Sequence, residues 1–221
     1  MVRTGLITCR FNEGRESGLA MKLRTIALAG LAAFLLAGCT FKSIPDPSVS
    51  ERDAKWMAKV PNVELEMNYN RYEVDDTTGE APGTIVVDTK QNFVFFVLPG
   101  KKAIRYGAAT GAEAYGWTGN ATVQRVAEWP RWVPPAEMVQ RWPHLAPTLA
   151  AGGLNGGPDN PLGARALYLY QGNKDTLYRI HGTNEPHLIG QNASSGCIRM
   201  RNIDVIDLAN RVKVGAKVIV R

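Results

Sequence analysis

Short β-prone runs separated by turn residues occupy much of the chain from residue 84 onward. The runs "TIVVD" and "FVFFVL" are rich in β-branched and aromatic residues, and the four residues "TKQN" between them predict a hairpin. The later runs "AIRYGAATG", "ALYLY", "TLYRIHG" and "AKVIVR" predict four more strands. No helical pattern intervenes between the first strands. We therefore expect a mostly β fold with an antiparallel or mixed sheet rather than a doubly wound α/β fold.

The segment 116–163 has a different composition, because it concentrates tryptophan, proline and glycine. Four of the five tryptophans lie in it, namely Trp117, Trp129, Trp132 and Trp142. We expect a long Trp/Pro-rich loop with one short helix over 136–141. The aromatic side chains either pack into the sheet or form the lid or wall of a substrate groove, and both alternatives stay open.

A further short helix is predicted near the C-terminus of the chain. Asn202 is a suitable N-cap for a helix with Ile203, Ile206 and Ala209 on one face, and Gly215 follows its last turn.

The N-terminal third is predicted to contain an export signal. The run "MKLRTIALAGLAAFLLAGC" begins at Met21 with Lys22 and Arg24, continues as a short apolar stretch, and ends in small residues before Cys39. The ending "LLAGC" resembles the lipobox of bacterial lipoproteins, which implies a signal peptide over 21–38 and lipidation of Cys39. A plain cleaved signal and a retained anchor are the alternatives. Residues 1–20 show no such pattern, and we interpret them as a mis-called N-terminal extension.

The rest of the chain divides into an arm and a folded domain. Residues 39–82 are polar and contain three prolines by residue 61, so they predict a tether and N-terminal arm with a short helix around 54–60. Residues 83–221 form the predicted folded domain. The net charge of +6 falls to +3 from Cys39 onward, where 21 Lys and Arg oppose 18 Asp and Glu. Because these positive charges are scattered, no nucleic-acid partner is expected.

The stretch "IHGTNEPHLIGQNASSGCIRMRN" at residues 180–202 holds the residues best suited to chemistry. Cys197 is the one cysteine beyond Cys39, and a thiol in an oxidising compartment is either buried and inert or used in a reaction. His181 ends a strand-like run and could act as its base, which would favour a thiol pKa below ~8.5. Gly196 permits a tight turn whose N–H groups, with that of Cys197, could form an oxyanion hole.

Each of these residues also has a purely structural interpretation. Cys197 could be a small buried apolar side chain, His181 could simply be hydrogen-bonded, and Arg199 could be a surface charge. If the chain is extended after Cys197, Arg199 shares its face and could hold a substrate carboxylate. A metal site formed by His181, His187 and Cys197 matches no familiar ligand spacing.

The same stretch resembles the signature of the L,D-transpeptidase (YkuD) family, a histidine–glycine pair followed by Ser-His-Gly-Cys and Ile-Arg or Val-Asn. The segments "IVVDTKQNFVFFVLPGKKAIRYGAATG" and "NPLGARALYL" are similar to the opening and central strands of the family. The resemblance covers about residues 83–221. It implies a β-sandwich-like catalytic domain that acts on peptidoglycan stem peptides without a metal or organic cofactor.

The resemblance also implies roles for individual residues. Cys197 would be the nucleophile and His181 the general base, oriented by the backbone carbonyl of Gly182. Gly196 and Cys197 would supply the oxyanion N–H groups. The supporting and substrate-binding positions implied by the motif are Asn184, Ser194, Ser195 and Arg199. Ser195 stands where many members have histidine, which puts in doubt any acceptor-side role of that histidine.

The implied reaction forms a Cys197 thioester with the meso-diaminopimelate carbonyl of a tetrapeptide stem, releases D-Ala and transfers the stem to an amine. That amine would belong to another stem, giving a 3→3 cross-link, or to an outer-membrane protein or lipoprotein. An L,D-carboxypeptidase and a catalytically silent wall-binding module are the alternatives. Cys39 followed by Thr40, without aspartate, resembles the sorting pattern for the outer membrane. We therefore expect a periplasmic protein, lipid-anchored to the outer membrane of a Gram-negative bacterium.

Overall fold

The β-prone runs form one ten-stranded sheet that closes on itself. The computed structural model describes residues 41–111, 117–193 and 196–221. The strands in these ranges are β1 (Lys42–Ser43), β2 (Tyr72–Asp75), β3 (Ile85–Asp88), β4 (Phe93–Leu98), β5 (Lys102–Ala109), β6 (Gly119–Glu128), β7 (Arg165–Gln171), β8 (Lys174–His181), β9 (Ile198–Met200) and β10 (Lys217–Val220). The α-helices there are α1 (Glu51–Met57), α2 (Ala136–Arg141), α3 (Ala146–Ala150) and α4 (Asn202–Arg211). The prediction of a mostly β fold with few short helices is confirmed.

The strand order explains how distant parts of the sequence meet. It runs β1-β2-β5-β4-β3-β10-β6-β7-β8-β9, and a further pairing of β9 with β5 closes a circuit of eight strands. Most neighbours are antiparallel, whereas β3–β10 and β8–β9 are parallel. The sheet is therefore mixed, and β9 is held on both sides, by β8 and by the end of β5.

The predicted hairpin joins β3 and β4, with Asp88 opposite Phe93. Asp88 Oδ1 accepts hydrogen bonds from the backbone N–H groups of Lys90 and Gln91, and Asn92 takes a positive φ of 59°. Aspartate and asparagine favour such turns because their side chains bond nearby backbone and asparagine tolerates the left-handed region. The short polar sequence "TKQN" therefore folds locally as a turn.

The predicted long loop over 116–163 is partly wrong, because β6 occupies its first part. β6 pairs with β7 on one side and with β10 on the other. Its side chains alternate between the core and solvent, with Ala121 and Val123 buried and Gln124 exposed. The register shifts between Val123 and Arg125, which interrupts the alternation and weakens the strand signal in the sequence. Helix α2 lies at the predicted position, 136–141.

The polar arm is also more ordered than predicted from Phe41 onward. Strands β1 and β2 extend the sheet beyond β5, so this part of 39–82 is not a tether. Helix α1 begins at Glu51 rather than near residue 54, because Ser50 Oγ accepts a hydrogen bond from the Asp53 N–H and caps it. The predicted extension 1–20, the signal peptide 21–38 and Cys39 lie outside the described residues and stay predictions. Within the described ranges, no helix has both the length and the apolar character required to span a membrane.

The main core lies inside the closed sheet and against α4. Val205 and Leu208 of α4 join buried residues of eight strands, including Ile104 of β5 and Leu167 of β7. Ile206 packs in a second cluster with Trp129 and Ala164. The prediction that Asn202 caps α4 is wrong: Asn202 is the first helical residue, Arg201 precedes it, and no side chain caps the helix N-terminus. The side chain of Asn202 instead points to the loops around His181.

Candidate active site

His181 and Cys197 are brought together by the parallel pairing of β8 with β9. His181 is the last residue of β8 and lies opposite Arg199, and Ile180 lies opposite Ile198. Cys197 immediately precedes β9 and therefore sits beside the end of β8. Both strands are buried here, with Ile180 and Ile198 in the main core. The two ends are therefore fixed by core packing although fifteen residues, 182–196, separate His181 from Cys197.

Both residues line one cavity of about 620 Å³. The cavity is lined by Trp132, Met138, Trp142, His144, Leu145, Pro161, Leu162, His181, Glu185, Leu188, Asn192, Ala193, Cys197 and Arg199. An apolar wall with a few polar groups around a thiol and an imidazole is typical of a small-molecule or peptide site. Within the described ranges, no group of three or more His, Cys, Asp or Glu side chains is placed to hold a metal ion.

The tryptophans of the segment 116–163 do not share one role. Trp132 and Trp142 line the cavity, as the groove-wall interpretation expects. Trp129 is buried in the second core cluster, and Trp117 stacks on Tyr178 with ring centroids 5.5 Å apart. Trp132 and Trp142 therefore follow the groove-wall alternative, whereas Trp117 and Trp129 follow the alternative in which the aromatic side chains pack against the fold.

His181 is buried and oriented by its neighbour. Its Nδ1 donates to the carbonyl oxygen of Gly182 at 2.6 Å, which is the contact implied by the family resemblance. Because a carbonyl only accepts, Nδ1 carries the proton in the neutral ring and Nε2 is the basic nitrogen.

The pKa of His181 is lowered to about 3. Burial is the main cause, and the positive charge of Arg199 adds to it. The carbonyl groups of Gly182 and Pro161 oppose this shift, because they favour the protonated ring. His181 is therefore neutral at neutral pH, and two carbonyl oxygens stand ready to stabilise the imidazolium that forms when it takes a proton.

Cys197 is present as a thiol, and burial raises its pKa. The backbone N–H of Arg179 and the charges of Arg179 and Arg199 act in the opposite direction. Its Sγ lies 3.9 Å from the carbonyl oxygen of Leu177. The expectation of a lowered pKa is therefore wrong for this resting state. Cys197 precedes a strand rather than a helix N-terminus, so no helix dipole acts directly on the thiol.

Gly196, another position of the motif, lies next to Cys197 in the described part of the chain. Gly196 is buried and has φ of 120°, a backbone conformation that glycine adopts without the strain imposed by a Cβ. Ser194 and Ser195 lie outside the described residues, so their predicted roles stay predictions.

Asn202 connects the segment after His181 to the loop before β7. Its Oδ1 accepts from the N–H groups of Ala164 and Thr183 at 3.0 and 3.1 Å, and its Nδ2 donates to the Thr183 carbonyl at 2.9 Å. Gly182 allows this approach, since a Cβ there would overlap Asn202 Oδ1 and lie 2.9 Å from the Ala164 nitrogen. We infer that the glycine after His181 is required by close packing as well as by the carbonyl contact.

Asn184, predicted as a substrate-binding residue, is directed to the loop instead. Its Nδ2 donates to the Asp159 carbonyl at 3.1 Å, and it does not line the cavity. Its Oδ1 is buried without a hydrogen-bond partner among the described residues. Arg199 does line the cavity, where its Nη1 donates to Glu185 Oε2 at 2.9 Å.

Two charged residues near Cys197 were not predicted. Glu185 follows the His-Gly-Thr-Asn motif, but a single acidic residue in a loop has no distinctive sequence signal. Arg179 forms a bidentate ion pair with Asp175, at 2.7 and 2.8 Å, and lies over the Tyr168 ring. The alternation of "TLYRIH" could have placed Arg179 on the face of β8 that includes His181.

A protein-family model described as the L,D-transpeptidase catalytic domain (YkuD) matches residues 82–220. The "Probable L,D-transpeptidase ErfK/SrfK" of Salmonella typhimurium is 42% identical over 96 residues, which are 43% of this chain and 29% of that protein. The "Probable L,D-transpeptidase YbiS" of Escherichia coli K12 is 40% identical over 102 residues, which are 46% of this chain and 31% of that protein. The chain thus spans about a third of the length of these two relatives.

A solved structure is also similar in sequence over most of the chain. It is described as a "Probable carnitine operon oxidoreductase caia" from Brucella melitensis, is 45% identical, and covers 76% of this chain and 99% of that chain. Its TM-score is 0.47.

Proposed function

Because this chain belongs to the L,D-transpeptidase catalytic domain (YkuD) family, we propose that it is a peptidoglycan L,D-transpeptidase with Cys197 as nucleophile and His181 as general base. The observation that carries this proposal is the shared cavity: His181, with Nδ1 held by Gly182, and Cys197 line the same space of about 620 Å³. Nucleophilic catalysis by cysteine typically uses a nearby base whose orientation is set by a third group, and the shared cavity and the Gly182 contact support these roles.

The first step is acylation of Cys197. The thiol gives its proton to Nε2 of His181 while Sγ attacks the carbonyl carbon of meso-diaminopimelate that is bonded to the terminal D-Ala. The carbon–nitrogen bond then breaks, and the D-Ala nitrogen leaves with the proton returned by His181. A neutral thiol and a neutral imidazole suit this step, because the proton moves only when the substrate carbonyl is in place.

The second step transfers the stem from Cys197 to an amine. The amine loses a proton to His181 and attacks the thioester carbon, and the thiol leaves with that proton. In both steps the backbone N–H groups of Gly196 and Cys197 are proposed to stabilise the oxyanion. A stem amine as acceptor gives a 3→3 cross-link, and a lysine or N-terminus gives attachment of an outer-membrane protein or lipoprotein. With water as acceptor, the same site acts as an L,D-carboxypeptidase.

The proposed location follows from the sequence of the N-terminal segment. A lipid on Cys39 would anchor the protein to the outer membrane on the periplasmic side, where its peptidoglycan substrate lies. Residues 21–38 would serve as the signal peptide.

Incubation of the chain with disaccharide-tetrapeptide muropeptides, followed by mass spectrometry, tests the proposal. Release of D-Ala with cross-linked dimers is the expected result, and a thioester adduct should be found on Cys197. Shortened monomers alone would identify a carboxypeptidase. Unchanged muropeptides with the wild-type chain would refute both activities, and the Cys197→Ala variant is the control for contaminating enzymes.

A further inference from the structure

The cavity wall carries two opposite charges next to each other, on Arg199 and Glu185. Arg199 Nη1 lies 2.9 Å from Glu185 Oε2, and both residues line the cavity together with Cys197 and His181. The Arg199 side chain is 17% exposed and that of Glu185 is 46% exposed. Both charges therefore remain accessible to a ligand that enters the cavity.

The backbone on both sides of this pair is fixed. Arg199 belongs to β9 and lies opposite His181. The N–H of Glu185 donates to Thr183 Oγ1 at 2.9 Å, and Pro186 then begins a 3₁₀ turn over Pro186–Leu188. Because each residue is held by regular structure or a side-chain hydrogen bond, the two side chains start from defined backbone positions on the cavity wall.

A partly exposed ion pair of this kind contributes little to stability, because solvent screens its charges. The pair lines the same cavity as Cys197 and His181, and this position suggests that it binds the substrate. Arg199 is close enough for its charge to act on both His181 and Cys197. A guanidinium has five N–H donors, so the bond from Nη1 to Glu185 leaves others that can bind a carboxylate.

We propose that Glu185 and Arg199 form a site for a zwitterionic amino-acid end, in which Arg199 binds the carboxylate and Glu185 binds the ammonium group on the same carbon. This inference rests on the proposed function, because the side chain of meso-diaminopimelate in a stem ends in such a carbon. The ligand class is therefore a peptide whose third residue presents an ammonium and a carboxylate together.

Glu185 makes the site selective through repulsion as well as attraction. Arg199 alone would accept any carboxylate, including the terminal carboxylate of D-Ala. The negative charge of Glu185 disfavours a carboxylate that lacks a neighbouring ammonium group, and such unfavourable contacts are a general source of specificity. Binding of the correct end at Arg199 and Glu185 would orient the stem so that the carbonyl to be attacked lies at Cys197.

The test compares four tetrapeptide stems that differ at the third residue. They carry meso-diaminopimelate, its amide at the side-chain carboxyl, its acetyl derivative at the side-chain amine, and L-lysine. D-Ala release by the full chain gives kcat/KM for each stem. We expect the wild type to prefer the first stem over the other three by at least tenfold, mainly through KM.

The variants assign each preference to one residue. Glu185→Gln should reduce the preference over the acetylated stem to about threefold or less, while the preference over the amidated stem largely remains. Arg199→Lys keeps the charge but loses the planar fork, so it should weaken the preference over the amidated stem. Glu137→Gln, on α2 next to cavity-lining Met138 but not itself lining the cavity, is the matched control and should keep all preferences.

Calorimetry of the same four stems with the Cys197→Ala chain separates this inference from the proposed function. Tighter binding of the zwitterionic stem that depends on Glu185 supports the inference even if no D-Ala is released. Equal kcat/KM for all stems, or an acetyl-stem preference that Glu185→Gln does not change, would overturn the inference and leave the transpeptidase proposal standing. No D-Ala release and no selective binding would reject both.

Discussion

Asp53 in the N-terminal arm and Arg165 at the start of β7 form a buried, bidentate ion pair across 112 positions of the chain. Arg165 Nη1 lies 3.0 Å from Oδ1 and Nη2 lies 2.9 Å from Oδ2. The indole N–H of Trp129 donates to Oδ1 at 2.7 Å. The Arg165 carbonyl accepts from the Gly182 N–H at 3.0 Å, so the arm is connected through one residue to the group that orients His181.

Replacement of Asp53 by asparagine should therefore destabilise the fold. The variant removes the bidentate, buried counter-charge of Arg165 and leaves it the more distant and exposed Glu128, whose Oε1 lies 3.7 Å from Nη2. Loss of one partner of a buried pair typically costs about 3–5 kcal/mol. Urea unfolding should show a decrease of about 3 kcal/mol in the free energy of unfolding. Asp75→Asn, which breaks the exposed Lys102–Asp75 pair, is the control and should change it by less than about 1 kcal/mol. Equal decreases in the free energy of unfolding for the two substitutions would show that the buried Asp53–Arg165 pair contributes no more than the exposed Lys102–Asp75 pair.

The effect of Asp53→Asn should also depend on pH. The hydrogen bond from Arg165 holds the pKa of Asp53 below its usual range, although burial opposes this. A lowered folded-state pKa means that the stabilisation is fully present above the unfolded value of ~3.9 and is lost as the pH falls below it. The difference in unfolding free energy between the two proteins should therefore be constant from pH 5 to 7 and shrink below pH ~4.

Replacement of Gly182 by alanine should impair both stability and activity. The new Cβ would overlap Asn202 Oδ1 and press on the Ala164 nitrogen, and overpacking of this kind costs about 1–3 kcal/mol. Gly157→Ala is a matched control, because a Cβ there meets no atom within 4 Å. Thermal unfolding and D-Ala release should be lowered in Gly182→Ala and unchanged in Gly157→Ala. Wild-type values for Gly182→Ala would mean that the Asn202 contact is dispensable.

The parts of the fold that could be predicted from sequence depend on local patterns. The hairpin of β3 and β4 is marked by β-branched runs and an Asp–Asn turn, and β7 and β8 are marked in the same way. β6 was missed because "NATVQRVAE" mixes polar side chains into the strand and a register shift breaks its alternation. β6 also lies within the Trp/Pro-rich segment 116–163, whose composition predicts a loop.

The residues of the candidate site that belong to a local sequence motif could be predicted. The contacts that join distant parts of the chain could not. His181 and Cys197 stand in a recognisable signature, and their approach follows from two adjacent strand ends. The Asp53–Arg165 pair joins positions 112 residues apart, so no local pattern reveals it. Likewise the role of Asn202 was misjudged, because a residue suited to cap a helix is equally suited to bond two loop N–H groups.

Trp142 should contribute to substrate binding more than to stability. It lines the cavity and is exposed, whereas Trp129 is buried against Trp56 at a centroid distance of 4.9 Å. Trp142→Ala should raise the KM for a tetrapeptide stem several-fold with little change in unfolding free energy. Trp129→Ala should instead lower the unfolding free energy by about 3 kcal/mol or more. Equal stability losses would show that Trp142 is a core residue.

His181 should not titrate in the neutral range. Burial lowers its pKa to about 3, so its ring stays neutral from pH 5 to 8, whereas an unperturbed histidine changes charge near ~6.5. The NMR signals of its ring carbons should be constant over this range, and His144→Gln and His187→Gln variants assign the three histidine signals. The unfolded chain protonates His181 near pH ~6.5, whereas the folded chain does so only near pH 3. The free energy of unfolding should therefore not depend on His181 above pH ~6.5 and should decrease as the pH falls below it. A midpoint between pH 6 and 7 for His181 would contradict the burial described for it.

The thiol of Cys197 should be less acidic at rest than an ordinary cysteine. Burial raises its pKa, and the charge of Arg179 partly offsets this increase. In a chain with Cys9→Ser and Cys39→Ser, the pH midpoint of iodoacetamide labelling should lie above ~8.5. Arg179→Gln should move the midpoint higher, because it removes a positive charge and leaves the charge of Asp175 unopposed. Lys174→Gln removes a positive charge from the exposed start of the same strand, β8, and should leave the midpoint unchanged. A midpoint below that of a cysteine peptide would instead indicate a thiolate that is already formed before the substrate binds, and proton transfer to His181 would then no longer be part of acylation.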